Sequence, residues 1–256
     1  MILNAVQVGE GRPVVVLHGL FGEARNFGTF QRALSAHFRV VAMDMRNHGA
    51  SPHAPDMRYQ TLGLDVIETM GALGIGVAAV VGHSMGGKAA MAAALMHPDR
   101  FGRLLVADIA PVAYRHGNAG IAAAMMAMPL EPGLTRARAD AALASAVADA
   151  GIRAFLLRNL RFGPAPSWRI GLNEIAAAVT DLEGWDETAF ADRHYDAPAW
   201  FVTGADSDYV SRDHRPAIRA LFPAARFLAV KNAGHWLHAD NPAGFLAVLE
   251  GFLTGW

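Results

Sequence analysis

An apolar run, Val77 to Val81, leads straight into Gly82-His83-Ser84-Met85-Gly86-Gly87-Lys88, and good helix formers follow from Ala89 to Leu95. A buried strand that turns at once into a helix has room for only a very tight bend, and a serine at its apex stands clear of the sheet's carboxyl edge. Glycine on either side of that serine keeps the backbone and the incoming helix free of Cβ clashes. The helix start also turns N–H groups and the positive end of its dipole toward the serine. The competing reading is a glycine-rich turn that holds an incidental serine; the strand before it and the helix after it favour Ser84 as a nucleophile.

The same alternation of short apolar runs and helical patterns extends along the chain, which is the pattern of parallel strands joined by crossover helices. Val14–Leu17, Val40–Met43, Val77–Val81, Leu104–Val106, Trp200–Val202 and Phe227–Val230 read as buried strands, with Leu3–Val8 as an antiparallel edge strand. Phe27–Ala36, Leu62–Leu73, Met85–Met96 and Arg212–Leu221 fit crossover helices, and Pro242 opens a last helix that runs to Leu253. From about Pro111 to Pro198 the rhythm breaks and no strand is evident; Ala, Leu and Met dominate between scattered prolines and glycines. The expectation is a mostly parallel sheet flanked by helices, built from residues 1–110 and 198–256, with residues 111–197 as a helical cap inserted after the sixth strand.

Of the 256 residues, 53% are hydrophobic and only 18% charged, which suits one large core and argues against disorder. A formal net charge of −1 gives no basic footprint for a phosphate backbone, so nucleic acid is not an expected partner. There is no cysteine, which leaves the chemistry to Ser, His and Asp. No signal-like start and no apolar run of membrane-spanning length is visible, and the expected location is cytoplasmic.

The strand Val14–Leu17 ends in His18-Gly19-Leu20-Phe21-Gly22. A motif at this strand end donates one backbone N–H to an oxyanion hole and the residue after the nucleophile donates the other, which points to Leu20 and Met85. Among the eleven histidines, His37, His53, His97, His116, His194 and His214 fall on helix ends, loops or the cap, and His18, His48 and His83 belong to turn motifs. His235, in Asn232-Ala233-Gly234-His235-Trp236 after the last strand, stands third in the order Ser, acid, His, with His238 beside it as a neighbour shaping the loop.

The acid is less direct. Gly204 and Val210 frame the usual loop position, yet the framed residue is Ser207, with Asp206 and Asp208 to either side. Asp108, at the end of Leu104–Val106, also satisfies the chain order, and from spacing alone it competes with a turn-forming role and with Asp206. Asp44 and His48 allow a weak metal reading but fit strand-end hydrogen bonding better.

Taken together, His18 to Gly22, Asp44-Met45-Arg46-Asn47-His48-Gly49-Ala50-Ser51, Gly82 to Lys88, Asp108 to Val112 and Ala233 to Ala239 resemble the bacterial YbfF-type esterases of the α/β-hydrolase fold and their mitochondrial relatives. That resemblance implies Asp108 as the acid and Ser207 as a hydrogen-bonding fourth member of the site. Where the subfamily has Gly-Asn-Ser, this chain has Ala205-Asp206-Ser207, which keeps Asp206 as a rival. Trp168-Arg169 is similar to a pair found in the subfamily's cap. Phe21, Trp168 and Trp236 are expected at the substrate pocket. The function expected is hydrolysis of small acyl esters, with acyl-CoA thioesters as an extension and with no cofactor or metal. Carbon–carbon bond hydrolysis, perhydrolysis and a non-enzymatic ligand receptor on the same fold are the alternatives.

Overall fold

In the computed structural model, which describes residues 1–115 and 117–256, the β-branched runs become one seven-stranded sheet. His116 lies outside the described residues. The chain enters through β1 (Ala5–Val8) and β2 (Arg12–Leu17), then crosses by α1 (Gly28–Leu34) to β3 (Phe38–Met43). It crosses by α2 (Tyr59–Ala72) to β4 (Ala78–His83), and by α3 (Met85–Met96) to β5 (Phe101–Ala107). There it leaves the sheet for α4 (Asn118–Met126), α5 (Arg136–Leu143) and α6 (Ala150–Leu156), then for the hairpin of β6 (Leu160–Arg161) and β7 (Ser167–Trp168). The short helices α7 (Leu172–Ala177), α8 (Val179–Glu183) and α9 (Glu187–Phe190) complete the excursion. The sheet resumes with β8 (Ala199–Gly204), α10 (Arg215–Leu221) and β9 (Ala225–Val230), before α11 (Leu237–Asp240) and α12 (Pro242–Leu253).

Two details differ from the sequence expectation. The excursion leaves after the fifth strand of the sheet, not the sixth. It also contains the β6–β7 hairpin, whose two-residue strands are too short to produce any periodicity.

Strand order is β1-β3-β2-β4-β5-β8-β9, with β1 antiparallel to β3 and the other neighbours parallel. The order reverses beside β2, so a crevice opens at the carboxyl ends of the central strands, where ligands bind in open α/β sheets. Alternation along each strand divides the core. Val15, Leu17, Val41, Met43, Val80 and Leu104 face α2 and α3, whereas Val14, Val16, Val40, Ala79, Val81 and Leu105 face Phe30 of α1 and Phe245 and Leu249 of α12. Met125, Leu156, Ile175 and Trp185 of the excursion are continuous with the first of these clusters. Among the described residues no helix is long and apolar enough to cross a membrane.

Candidate active site

Ser84 sits between β4 and α3 with φ 52° and ψ −120°, a conformation that L residues adopt only under strain. The surroundings hold it there. The Ser84 N–H donates to the Ala107 carbonyl at 3.0 Å, and its own carbonyl accepts from Lys88 N–H at 3.0 Å. The flanking glycines are needed for space: a Cβ on Gly82 would lie 2.4 Å from the Gly86 carbonyl oxygen, and one on Gly86 would lie 2.5 Å from that of His18.

His235 approaches from the loop between β9 and α11. Its Nε2 lies 3.0 Å from Ser84 Oγ and its Nδ1 2.8 Å from Asp108 Oδ2. With Nδ1–H donating to the carboxylate, Nε2 carries the lone pair that faces the serine hydroxyl. The Tyr209 ring stacks on the imidazole, with centroids 3.6 Å apart and planes 18° apart, and restricts its tilt. Asp108 is fully buried and also strained, at φ 53°. Its Oδ1 accepts from Gly204 N–H at 3.1 Å, and its Oδ2 accepts the Ser207 hydroxyl as well as the imidazole. Ser207 Oγ in turn accepts from Tyr209 N–H at 3.2 Å. Asp206 and Asp208 are exposed and do not reach the imidazole.

Across the serine, the β2 loop presents Leu20 and Phe21. The N–H groups of Leu20 and Met85 have no protein acceptor among the described residues. Phe21 carries a φ of 60°, unusual for so bulky a residue. It is pinned on both sides: its N–H donates to His48 Nε2 at 3.0 Å and its carbonyl accepts from Asn159 Nδ2 at 2.8 Å. His48 itself donates from Nδ1 to the Arg46 carbonyl, and His18 Nε2 accepts from Met45 N–H at 2.9 Å. Burial pushes His48 down to about 3, with His18 nearby adding to the effect, so both rings serve as neutral brackets. Asp44 accepts from Ala24 N–H, Ala50 N–H and Asn4, which hold its carboxyl below the usual range although burial works the other way. The Asp44–His48 pair thus supports the loop, and among the described residues no His, Asp or Glu cluster suits a metal ion.

The turn-motif reading of His83 changes in the fold. Its Nε2–H donates to the His235 carbonyl at 2.8 Å, which ties the strand before Ser84 to the loop that carries His235. Burial, with His238 and His235 close by, depresses its pKa strongly, and the ring stays neutral.

A cavity of about 350 Å³ opens over Ser84. Leu20, Phe21, Ile109, Ile121, Leu182 and Trp236 supply much of its apolar wall. Of the three residues expected at a substrate pocket, Phe21 and Trp236 line this cavity and Trp168 does not; it lies in β7 and packs against the apolar cluster. Met125, Met128 and Leu157 are core, Met126 is exposed, and Leu156 alone of this group reaches the cavity.

Lys88 was in the motif but had no role assigned from sequence. It is buried one helical turn beyond Ser84, and its Nζ donates to the carbonyls of Glu183 and Gly184 at 3.1 and 2.6 Å. Tyr59 donates to Leu182 O at 2.6 Å, so core side chains satisfy the carboxyl end of α8. Burial pushes Lys88 down to about 7, opposed by the Glu183 charge. A lone lysine in a run otherwise made of Met, Gly, Ala and Leu from Met85 to Met96 was the available signal.

Residues 12–242 match the family model described as alpha/beta hydrolase fold. The chain is 40% identical over 250 residues to the sn-1-specific diacylglycerol lipase ABHD11 of Mus musculus, covering 94% of this chain and 80% of the relative. It is 36% identical over 245 residues to the esterase YbfF of Escherichia coli, covering 94% and 93%. A solved structure, a marine microorganism esterase, superposes with a TM-score of 0.94 at 33% identity and covers 98% of this chain and 99% of its own. With a matching family model and relatives of this identity along most of its length, the chain belongs to the α/β-hydrolase family and is a carboxylic ester hydrolase of the YbfF type.

Proposed function

We infer that this protein is a serine carboxylesterase that works through an acyl-enzyme on Ser84, with His235 as general base and acid and Asp108 as the acid that orients it. The observation that carries the reading is the continuous relay at the cavity floor, 3.0 Å from Ser84 Oγ to His235 Nε2 and 2.8 Å from His235 Nδ1 to Asp108 Oδ2. The serine hydroxyl gives its proton to Nε2 as Oγ attacks the acyl carbonyl. The resulting imidazolium, stabilised by Asp108, returns the proton to the departing alcohol. Water then repeats the sequence on the acyl-enzyme. The N–H groups of Leu20 and Met85 bind the developing oxyanion, each contributing about 3 kcal/mol to transition-state stabilisation. Ser207 holds Asp108 in register without touching substrate.

Residues 111–197 act as the cap, and the mainly apolar cavity suits small to medium acyl groups. The relative named as a diacylglycerol lipase makes lipid esters part of the substrate class to be tried. Thioesters share the acyl half and fit the same chemistry.

Replacing Ser84 by Ala should lower hydrolysis of p-nitrophenyl acetate by about 10⁶-fold, as loss of a nucleophile does in serine hydrolases. A variant that kept more than a small fraction of the activity, or still took a fluorophosphonate label, would sink the assignment.

A further inference from the structure

Apart from Ser84, His83 and His235, the polar side chains on the wall of the Ser84 cavity are Tyr59, Lys88, Tyr114, Asn118, Glu183 and Tyr209. They are gathered together rather than scattered. Lys88 Nζ lies over the Tyr59 and Tyr114 rings, 5.3 and 4.9 Å from their centroids, and the Tyr114 ring stacks on Tyr209. Tyr114 N–H donates to the Glu183 carbonyl at 2.8 Å. Asn118 donates its backbone N–H and Nδ2 to Glu183 Oε1, each at 3.0 Å. By contrast, Ile152, Phe155 and Leu156 of α6, with Trp236, form an apolar stretch of the same wall. We propose that Glu183 and Asn118 form a specificity site for a hydroxyl carried on the acyl chain, which makes hydroxyacyl esters the preferred substrates of the enzyme.

Most polar atoms of the cluster already have partners. The Tyr59 and Tyr114 hydroxyls donate to the Leu182 and Tyr209 carbonyls, and Lys88 Nζ donates to the Glu183 and Gly184 carbonyls. Glu183 spends one carboxylate oxygen, Oε1, on the first turn of α4. Its Oε2 receives no protein donor among the described residues, and the second N–H of Asn118 Nδ2 reaches no acceptor there. An acceptor and a donor thus stand side by side on half-buried residues that line the cavity. A hydroxyl satisfies both at once, by donating to Oε2 and accepting from Nδ2. A plain alkyl end would cover the same two groups without pairing them, which costs the unmade hydrogen bonds.

Charge narrows the choice to a neutral group. A carboxylate on the acyl chain would meet Glu183, and an amine would meet Lys88 Nζ, which already occupies the faces of the Tyr59 and Tyr114 rings.

The proposal rests on the Ser84–His235 reading, because an acyl-enzyme decides which half of the ester lies at the polar end. The alcohol departs first, while the acyl group stays bonded to Ser84 Oγ until water releases it. Tyr59, Lys88 and Leu182 close the polar end with buried side chains, whereas Ile152, Phe155 and Trp236 are only half-buried. The half that leaves first fits the more open end, and the half that stays fits the closed one.

The test compares p-nitrophenyl 6-hydroxyhexanoate and 8-hydroxyoctanoate with the plain hexanoate and octanoate. One of the hydroxy esters should exceed its plain counterpart in kcat/KM by about tenfold, and the 6-aminohexanoate and the adipate monoester should fall below the hexanoate. Glu183→Gln keeps an oxygen for the first turn of α4 but loses the second acceptor, and Asn118→Ala loses the donor. Each should lower the ratio of hydroxy to plain ester about tenfold, chiefly by raising KM for the hydroxy ester, as loss of uniform binding does. A wild-type enzyme that treats hydroxy and plain esters alike would overturn the site. So would variants that lose both esters in equal proportion, which is the mark of a purely structural Glu183. A charged acyl chain that outperforms the hydroxy esters would overturn the choice of group. Failure of the underlying reading would look different: p-nitrophenol release would survive in Ser84→Ala.

Discussion

The carboxyl edge of the sheet and the excursion from α4 to α9 both surround the cavity over Ser84, but they are built by opposite means. At the sheet edge, position is set by backbone. Ser84, Asp108 and Phe21 all carry positive φ at strand ends, and each is held by hydrogen bonds from neighbouring elements. Such strain costs of order 1–3 kcal/mol per residue and persists only where the surroundings over-determine it. In the excursion, the cavity wall is made by half-buried side chains on short helices, such as Ile121 and Ile152, that no unusual backbone fixes. Changes at the edge should therefore abolish turnover, while changes in the excursion should redistribute it among substrates.

After the loss expected of Ser84→Ala, the largest effect should come from Asp108→Asn, which leaves the packing intact but disturbs the imidazole's tautomer. Activity on p-nitrophenyl acetate should fall by about 10³–10⁴-fold. Asp206→Asn should change it less than about twofold, and a reversal of the two results would break the edge's dependence on Asp108.

Acid should separate the regions next. His48 and His238 are held neutral, down to about 3 and about 4, and His83 and His18 are likewise depressed. Below pH 6.5 these rings bind protons in the unfolded chain but not in the folded one, so stability falls as pH drops from 6.5 toward 4. Each ring contributes up to about 1.4 kcal/mol per pH unit in that window. Urea unfolding along this range should show a slope of more than one proton, and His48→Gln should make it shallower.

Lys88 ties the two regions together. Its folded value near 7 lies below the unfolded 10.5, so between these pH values the unfolded chain binds the extra proton and stability rises with pH. Relative to Lys88→Met, the wild-type melting temperature should move upward from pH 7 to pH 9.5. A constant gap between the two proteins would show that the buried lysine keeps its proton throughout. The smallest change is expected from Ile121→Ala in the cavity wall, which should shift the preference between octanoyl and acetyl esters by about tenfold toward the longer acid. Loss of both substrates alike would show that this wall also positions the catalytic groups.

The legibility of the molecule follows the same division. α3 and α12 have the bounds expected from sequence, because an adjoining strand or a first-turn proline marks their starts. β6 and β7 were missed because their two-residue strands leave no periodic trace. Phe155, Tyr114 and Lys88 line the cavity without a sequence signal for it, and Trp168, expected at the pocket, does not line it. A ring that lines a cavity and one that fills a core have the same composition and spacing.

The strand–turn–helix around Ser84 and the place of His235 on the loop after the last strand were legible in the sequence alone, because tight turns depend on local steric rules that few residues satisfy. Which carboxylate meets His235, what Ser207 touches and where Lys88 reaches were decided only by tertiary structure. Those contacts join residues separated by as many as 127 positions, as Asp108 and His235 are. Only the packing of β5 against β8, and of the excursion over both, brings such groups within hydrogen-bond range.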